Sequence, residues 1–139
     1  MSGETRKKLV NSWVGVVRDC PPSANVFMRL HWRERMRLKD RWYLEICAAF
    51  SKNDERPAKA AGKRTVLVTI TSKRPRDHAN NWLAADKLIF DNLVKLGWLT
   101  DDDEAGLSPS VVGKVGDPAT LIEIYETAVV SDPKEGGTV

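Results

Sequence analysis

The residues best suited to chemistry lie around one amphipathic helix in the stretch 73–103. Polar side chains that could bind a metal ion precede and follow this helix: Asp77, His78, Asn80 and Asn81 before it, and Asp101, Asp102 and Asp103 after it. Lys87 lies between the two groups, on the apolar stripe that Leu83 and Phe90 predict by their helical spacing. Carboxylates, an imidazole or amide, and an ammonium suit Mg²⁺-assisted phosphodiester hydrolysis, in which the metal ion activates water and the lysine offsets developing charge.

The two polar groups can form one site only if the chain reverses direction after the helix. The helix is predicted over 81–96 and ends at Gly97. Its length is ~22 Å, so its two ends cannot meet directly. We therefore expect residues 101–103 to double back beside Lys87, which leans inward. The alternative interpretation is a solvated acidic turn and a lysine paired with Asp91 one helical turn further along.

Other metal and nucleotide motifs fit the sequence less well. An EF-hand register that starts at Asp101 places Ala105 and Val112 where oxygen ligands belong. The GxxG unit at 113–116 lies between predicted strands rather than between helices, so we expect a hairpin turn and not a KH loop. The sequence contains no P-loop, Rossmann fingerprint or Gly-x-Ser-x-Gly elbow, so no nucleotide cofactor is expected.

Cations are concentrated in the first half of the chain. Residues 1–64 hold 15 Lys and Arg against 7 Asp and Glu, whereas residues 65–139 hold 7 against 12. Candidate DNA-binding residues crowd the start of the first predicted helix and the loop before the second, namely Arg29, Arg33, Arg35, Arg37, Lys39, Arg41, Lys73, Arg74 and Arg76. Such a surface can follow a phosphate backbone, and a solvated helix face is the alternative.

The apolar pattern predicts a βαβαββ order. Strands are predicted at 9–17, 65–72, 110–115 and 121–125, and helices at 31–52 and 81–96, the latter capped by Asn80 or Asn81. The turn 116–118 should join the last two strands in an antiparallel hairpin, and 53–63 should be a mobile connection. We expect one small α+β domain over 9–128, with helices packed on a mixed sheet, between disordered ends at 1–8 and 129–139.

Composition places the chain among globular cytoplasmic proteins. Of its 139 residues, 42% are hydrophobic and 29% are charged, as in ordinary globular domains. No apolar run approaches the ~20 residues of a membrane helix, and the basic N-terminus has no apolar segment behind it, so neither a membrane partner nor a signal peptide is expected. Cys20 and Cys47 fit neither a disulfide framework nor a zinc motif.

Three segments, taken in their order and spacing, resemble the RusA-like Holliday junction resolvases of phages and prophages. They are CPPSANVFMRLHWRERMRLKDRW at 20–42, KLIFDNLVKLGWLTDDDE at 87–104 and TLIEIYE at 120–126. The middle segment is similar to the family signature Lys-x-x-x-Asp-x-Leu-x-x-x-Gly-x-x-x-Asp-Asp. The resemblance implies an α+β homodimer that cuts four-way DNA junctions symmetrically, in the cytoplasm of a bacterium or phage-infected host, with Mg²⁺ held by aspartates.

The same resemblance assigns roles to individual residues. Lys87 is similar to the family's catalytic lysine, and Asp102 to its metal-binding aspartate, with Asp101 beside it. Upstream, the family's Asp-x-Asp-Asn falls on His78, Asn80 and Asn81, so Asp77 would have to slip by one position to act as a ligand, with His78 or Asn80 as further ligands. Fewer carboxylates favour Mn²⁺ as an alternative to Mg²⁺. Three functions follow: an active nuclease, a degenerate relative that binds branched DNA without cutting it, and a protein-interaction module.

Overall fold

The computed structural model describes residues 5–51, 56–60, 64–100 and 110–131, except for the side chains of 5–8, 10 and 127–131. The strands are β1 (Thr5–Val17), β2 (Arg64–Ser72), β3 (Ser110–Val115) and β4 (Ala119–Ser131). The helices are α1 (Ala24–Arg29), α2 (Trp32–Ser51), α3 (His78–Ala85) and α4 (Asp91–Lys95), the last two joined by a π-helical turn (Asp86–Phe90). No helix in the described part of the chain is long and apolar enough to cross a membrane.

The four strands form one mixed sheet in the order β1-β4-β2-β3. β4 is antiparallel to β1 and to β2, whereas β3 is parallel to β2. β2 consists largely of β-branched residues, and its side chains alternate between buried and half-buried, because successive residues of a strand point to opposite faces. The helices cover one face of this sheet, which confirms the predicted α+β domain with helices on a mixed sheet.

The predicted hairpin between the last two strands is wrong. β3 and β4 are not neighbours, because β2 lies between them. Val115 at the end of β3 pairs with Ser72, whereas Ala119 at the start of β4 pairs with Thr71 from the other side of β2. The turn 116–118 therefore crosses the end of β2, where the Gly116 N–H donates to the Ser72 carbonyl at 2.9 Å. For the same reason, the GxxG unit is not a hairpin turn, since its first three residues belong to β3.

Several element boundaries also differ from the sequence prediction. β1 begins at Thr5 rather than residue 9, and β4 spans Ala119–Ser131 rather than 121–125. α1 was not predicted, although Ser23 caps it by accepting the Val26 N–H at 3.3 Å. Of the predicted disordered ends, residues 1–4 and 132–139 lie outside the described residues.

The core lies between the sheet and the helices. Its largest fully buried side chains include Trp42, Ile46 and Phe50 of α2, which face Val66, Val68, Ile70, Ile122 and Ile124 of the central strands. Gly15 of β1 admits this packing, since a Cβ there would lie 2.6 Å from the Phe50 ring. Trp98 meets the same ring edge-on at 5.1 Å between centroids. Burial of such side chains contributes roughly 1.5–3 kcal/mol each.

Part of the connection predicted to be mobile is fixed by hydrogen bonds. In the described segment 56–60, the Ala60 N–H donates to the Gly97 carbonyl at 2.8 Å. Arg64 is buried at the start of β2 and donates to the carbonyls of Ala58 (2.7 Å) and Trp98 (2.8 Å). This segment is therefore held against the end of α4, and residues 52–55 and 61–63 lie outside the described residues.

Candidate nucleic-acid interface

A concave basic surface lies where β2 ends. It is a pocket of about 550 Å³, here called the basic groove, that is lined by Cys20, Ser23, Val26, Ser72, Lys73, Arg74, Arg76 and Pro118. Ser72 starts the loop that forms it, because its buried hydroxyl donates to the Arg74 carbonyl at 2.9 Å. Lys73 and Arg74 are exposed, so their charges face solvent at the groove. Three cations and no carboxylate line this pocket, which suits an anionic ligand.

Arg76 joins the two loops that form the walls of the basic groove. It donates to the Pro21 carbonyl at 2.6 Å and to the Cys20 sulfur at 3.7 Å. Because Pro21 is buried, this contact ties the proline-containing loop before α1 to the loop after β2. Arg76, predicted to bind DNA, therefore also has a structural role, whereas the Lys73 and Arg74 side chains are exposed.

The loop after β2 also lines a smaller pocket on the β3 side. This pocket of about 200 Å³, here called the Asn81 pocket, is lined by Ser72, Pro75, Arg76, Asn81, Gly113, Lys114 and Val115. It shares Ser72 and Arg76 with the basic groove. Lys114 adds a further exposed cation at the mouth. Sequence reasoning missed this pocket, although a glycine inside a strand of valines, as at Gly113, marks a close approach to the backbone.

The start of α3 places the upstream polar residues beside these pockets. Asp77, and not Asn80 or Asn81 as predicted, caps the helix: its Oδ1 accepts the Asn80 N–H at 2.8 Å. The Asn81 N–H donates to the Asp77 carbonyl at 3.3 Å. His78 is exposed and stacks on Trp82, with 6.4 Å between ring centroids. The helix thus begins three residues earlier than predicted because a better cap precedes it.

The predicted metal ligands lie only partly within the described residues. Asp77 and His78 are exposed and Asn80 is half-buried, whereas Asp101 and Asp102 are outside the described part of the chain. Among the residues that the structure does describe, no three His, Cys, Asp or Glu side chains converge. Asp77 is one exposed carboxylate and fits an oxygen-preferring ion as a first ligand. The further carboxylates predicted for such an ion are Asp101 and Asp102.

The helix that follows is not a regular α-helix. The π-helical turn Asp86–Phe90 widens it, and the Asp91 N–H donates to the Asp86 carbonyl five residues earlier. Buried residues continue along the helix before and after this turn: Asn81, Ala84, Ala85, Leu88, Ile89, Phe90, Asn92 and Leu93.

The prediction that Lys87 points inward is wrong. Lys87 is exposed. It lies two residues from Ala85 and from Ile89, both fully buried, and two residues rotate a helix by about 200°. The alternative interpretation, a pair of Lys87 with Asp91, is not formed either; the Asp91 carboxylate lies 3.7 Å from Lys39 of α2. Lys87 is therefore available to a ligand from the solvent side of the helix.

Arg35, one of the predicted DNA-binding residues of α2, stabilises the start of the helix. Its guanidinium donates to the carbonyls of Leu30 (3.0 Å) and Met28 (2.9 Å). It also lies 5.7 Å from the centroid of the Phe27 ring. These contacts fix the junction between α1 and α2, so this cation is largely committed to the fold.

The other cations of this region divide into two groups. Lys39 pairs with Asp91, and Arg41 pairs with Asp19 in the loop before α1. The remaining three are exposed: Arg29, Arg33 and Arg37. Three of the six cations on α1 and α2 that were predicted to bind DNA therefore interact with other groups of the protein.

One pKa in the described residues departs clearly from its ordinary value, and it lies away from the basic groove. Tyr125 of β4 donates a hydrogen bond to the Glu123 carboxylate, which raises the pKa of the tyrosine; partial burial and the Glu123 charge act in the same direction. Tyr125 is paired with Thr65 near the start of β2, whereas the groove lies at its end. This titration therefore has no evident part in the site.

Neither a scan against protein-family models nor a search of curated proteins finds a match to this chain. The resemblance to the RusA-like resolvases therefore stays a prediction from the three segments.

Proposed function

We propose that the chain is a metal-dependent endodeoxyribonuclease that cuts Holliday junctions or other branched DNA. The observation that carries this proposal is the short separation along the chain between the cations of the basic groove and Asp77, which caps α3. Lys73 and Arg74 line the groove, and Asp77 follows within three residues at an exposed position. A phosphate backbone held by the groove would thus pass close to a carboxylate that can bind a metal ion.

Each group has a distinct task in this proposal. Lys73 and Arg74 would bind phosphates and fix the path of the strand, without reading its sequence. Mg²⁺ or Mn²⁺, held by Asp77, Asp101 and Asp102, would supply a polarised phosphate and an activated water. His78 and Asn80 would complete its ligands. The exposed ammonium of Lys87 would offset negative charge at the phosphate being cleaved.

The proposed enzyme acts as a homodimer in the cytoplasm of a bacterial or phage-infected cell. A four-way junction has two equivalent strands to cut, and two sites related by a two-fold axis match that symmetry. A monomer in solution, both free and with a junction bound, would contradict this part of the proposal. Sedimentation velocity with and without the junction measures it.

The second candidate function is binding of branched DNA without cleavage. It is favoured by His78 and Asn80, neither of which is a carboxylate, beside Asp77, whose carboxylate already caps α3. One oxygen of that carboxylate is engaged with the Asn80 N–H, which weakens it as a ligand. A protein-interaction module on the same scaffold is the third function, and it predicts no binding of DNA.

Incubation with a labelled four-way junction separates these three functions. The nuclease produces symmetric nicks with Mg²⁺ or Mn²⁺ and none with EDTA. Binding in a gel-shift assay without nicks in either metal leaves only the second function. Failure to shift the junction at low salt, where phosphate contacts are strongest, leaves only the third.

Asp102→Asn tests the assignment of the site. We expect it to abolish cleavage and leave junction affinity within about twofold, because it removes a metal ligand and not a phosphate contact. Asp40→Asn, at an exposed position of α2, is the matched control and should cut normally. Normal cutting by Asp102→Asn would remove this residue from the site.

A further inference from the structure

One residue that lines the Asn81 pocket, Asn81 itself, has a polar atom that the fold leaves without a partner. Asn81 is 3% exposed, and its Oδ1 is the buried side-chain oxygen or nitrogen without a hydrogen bond among the described residues. A buried acceptor in this state costs about 1–3 kcal/mol. An apolar side chain of similar size at this position would avoid that cost, so the amide is expected to serve a ligand.

The amide is held in place on the other side by β3. A Cβ at Gly113 would lie 2.5 Å from the Asn81 Nδ2, so the absence of a side chain there admits the amide. The nitrogen therefore packs against the strand, while the oxygen remains as an acceptor. Pro75 and Lys114 are exposed at the mouth of the pocket, and Ser72 is buried in its wall.

The charges that line the pocket exclude a metal ion as the natural ligand. Arg76 and Lys114 are among the lining residues, and no carboxylate is. A cation would be repelled, whereas an anionic ligand that carries an N–H donor satisfies both the positive charge and the amide oxygen. With a volume of about 200 Å³, the pocket is smaller than the ~300–1,000 Å³ of drug-sized ligand sites. One planar group, and not a whole cofactor, fits this size.

We propose that the Asn81 pocket receives one unpaired nucleobase of the DNA strand that the basic groove holds. Entry of the base turns the Asn81 amide, because its Oδ1 has almost no exposed surface before binding. An N–H of the base then donates to this oxygen, the Pro75 ring contacts the face of the base, and Lys114 binds the adjoining phosphate. The shared Ser72 and Arg76 allow one strand to occupy groove and pocket together. This inference rests on the proposed function, because it requires a DNA strand in the groove. A branch point supplies bases that are already unstacked, which lowers the cost of entry.

Single-stranded oligonucleotides with and without bases test this inference. Fluorescence anisotropy in EDTA compares labelled oligo-dA, oligo-dC, oligo-dG and oligo-dT with an abasic strand of the same length. We expect the wild-type protein to bind at least one base-bearing strand about tenfold more tightly than the abasic strand. A pocket that holds only water predicts equal affinities, and that result would overturn the inference.

Asn81→Leu separates a ligand-binding role from a structural one. It removes the acceptor at nearly constant volume, so the preference for base-bearing strands should disappear while the thermal midpoint stays the same or rises. Gly113→Ala should weaken the same preference, because its methyl group displaces the amide. Asn11→Leu, at an exposed position of β1, is the matched control and should keep it. A large fall in the thermal midpoint of Asn81→Leu, with the base preference retained in Gly113→Ala, would make Asn81 structural and refute the inference.

The same experiment keeps this inference distinct from the proposed function. If the wild type binds the junction but shows no base preference, only the inference about the Asn81 pocket is overturned. A base preference on single strands without binding of the junction supports the pocket and removes the junction as the substrate.

Discussion

Two basic regions of the molecule have similar charge in the sequence and different roles in the structure. The region of α1 and α2 carries six cations, and Arg35, Lys39 and Arg41 are engaged with carbonyls or carboxylates of the same chain. Around the basic groove, Lys73 and Arg74 are exposed in a concave surface, and Lys114 is exposed beside it. The helical region also has a hollow, of about 330 Å³, but a carboxylate, Glu34, lines it together with Arg37 and Arg41.

The difference teaches that clustering of cations in a sequence does not by itself locate an anion-binding surface. Exposed charges on a helix are screened by salt over ~10 Å, and those paired with carboxylates of the same chain contribute little net field. Cations around a concavity act together on one ligand, since low-dielectric walls concentrate their field. We therefore assign DNA affinity mainly to the groove and structural roles mainly to the helical cations.

The largest effect is expected when the exposed cations of the groove and pocket are removed together. The triple variant Lys73→Gln, Arg74→Gln, Lys114→Gln should lower junction affinity about tenfold to 100-fold and make the log–log salt dependence less steep by about 2–3. A fluorescence anisotropy titration at several salt concentrations measures both. The matched control, Arg29→Gln with Arg33→Gln and Arg37→Gln, removes the same charge from α1 and α2 and should cost less than about threefold. Equal losses in the two triple variants would end the distinction between the regions.

A reciprocal effect on stability is expected at Arg35. Arg35→Met should lower the free energy of unfolding by about 1–3 kcal/mol, because the carbonyls of Leu30 and Met28 lose their donor. Urea denaturation measures this change, and Arg33→Met, at an exposed position nearby, should stay within about 0.5 kcal/mol of wild type. Junction affinity should be nearly unchanged in both variants. A loss of affinity in Arg35→Met at full stability would place this residue in the interface.

The smallest effect is expected where a carboxylate of the chain is paired with a cation. Asp19→Asn releases Arg41 and should raise junction affinity about twofold, while changing stability by less than about 1 kcal/mol, as for other exposed pairs. Asp40→Asn removes the same charge from an exposed position of α2 for which the described residues contain no ion pair. An equal gain in Asp40→Asn and Asp19→Asn would show that net charge alone matters.

The sequence predicted local structure better than it predicted strand pairing. The alternation in β2 and the extent of β3 follow from β-branched residues and turn residues, and both strands were located within one residue of their ends. The neighbour of β3 is not determined by the residues of β3 itself, because β2, which is distant in the sequence, lies between β3 and β4. A three-residue turn normally predicts a hairpin, and nothing within the turn 116–118 indicates that the end of β2 passes beneath it.

The candidate site was predicted in part for the same reason. Lys73, Arg74 and Asp77 could be read from the sequence because they lie in one loop with an evident chemical character. Asn81 and Lys114 meet only through the contact of α3 with β3, which no local spacing encodes. Lys87 was misplaced because the apolar stripe was drawn through Leu83 and Phe90, whereas the fully buried positions are Ala84, Ala85, Leu88 and Ile89. The predicted approach of Asp101 to Lys87 falls outside the described residues.

The π-helical turn has a consequence for how the length of this chain can vary. Deletion of one residue within 86–90 would let the helix close into a regular α-helix, because the wide turn holds one residue more than an α-helical turn does. The residues after it would keep their orientation: the Asn92 amide, which donates to the Lys39 carbonyl at 3.0 Å, would stay beside α2, and Leu93 would stay in the core. This turn is therefore where the helix can lose one residue without a change in the packing of α4.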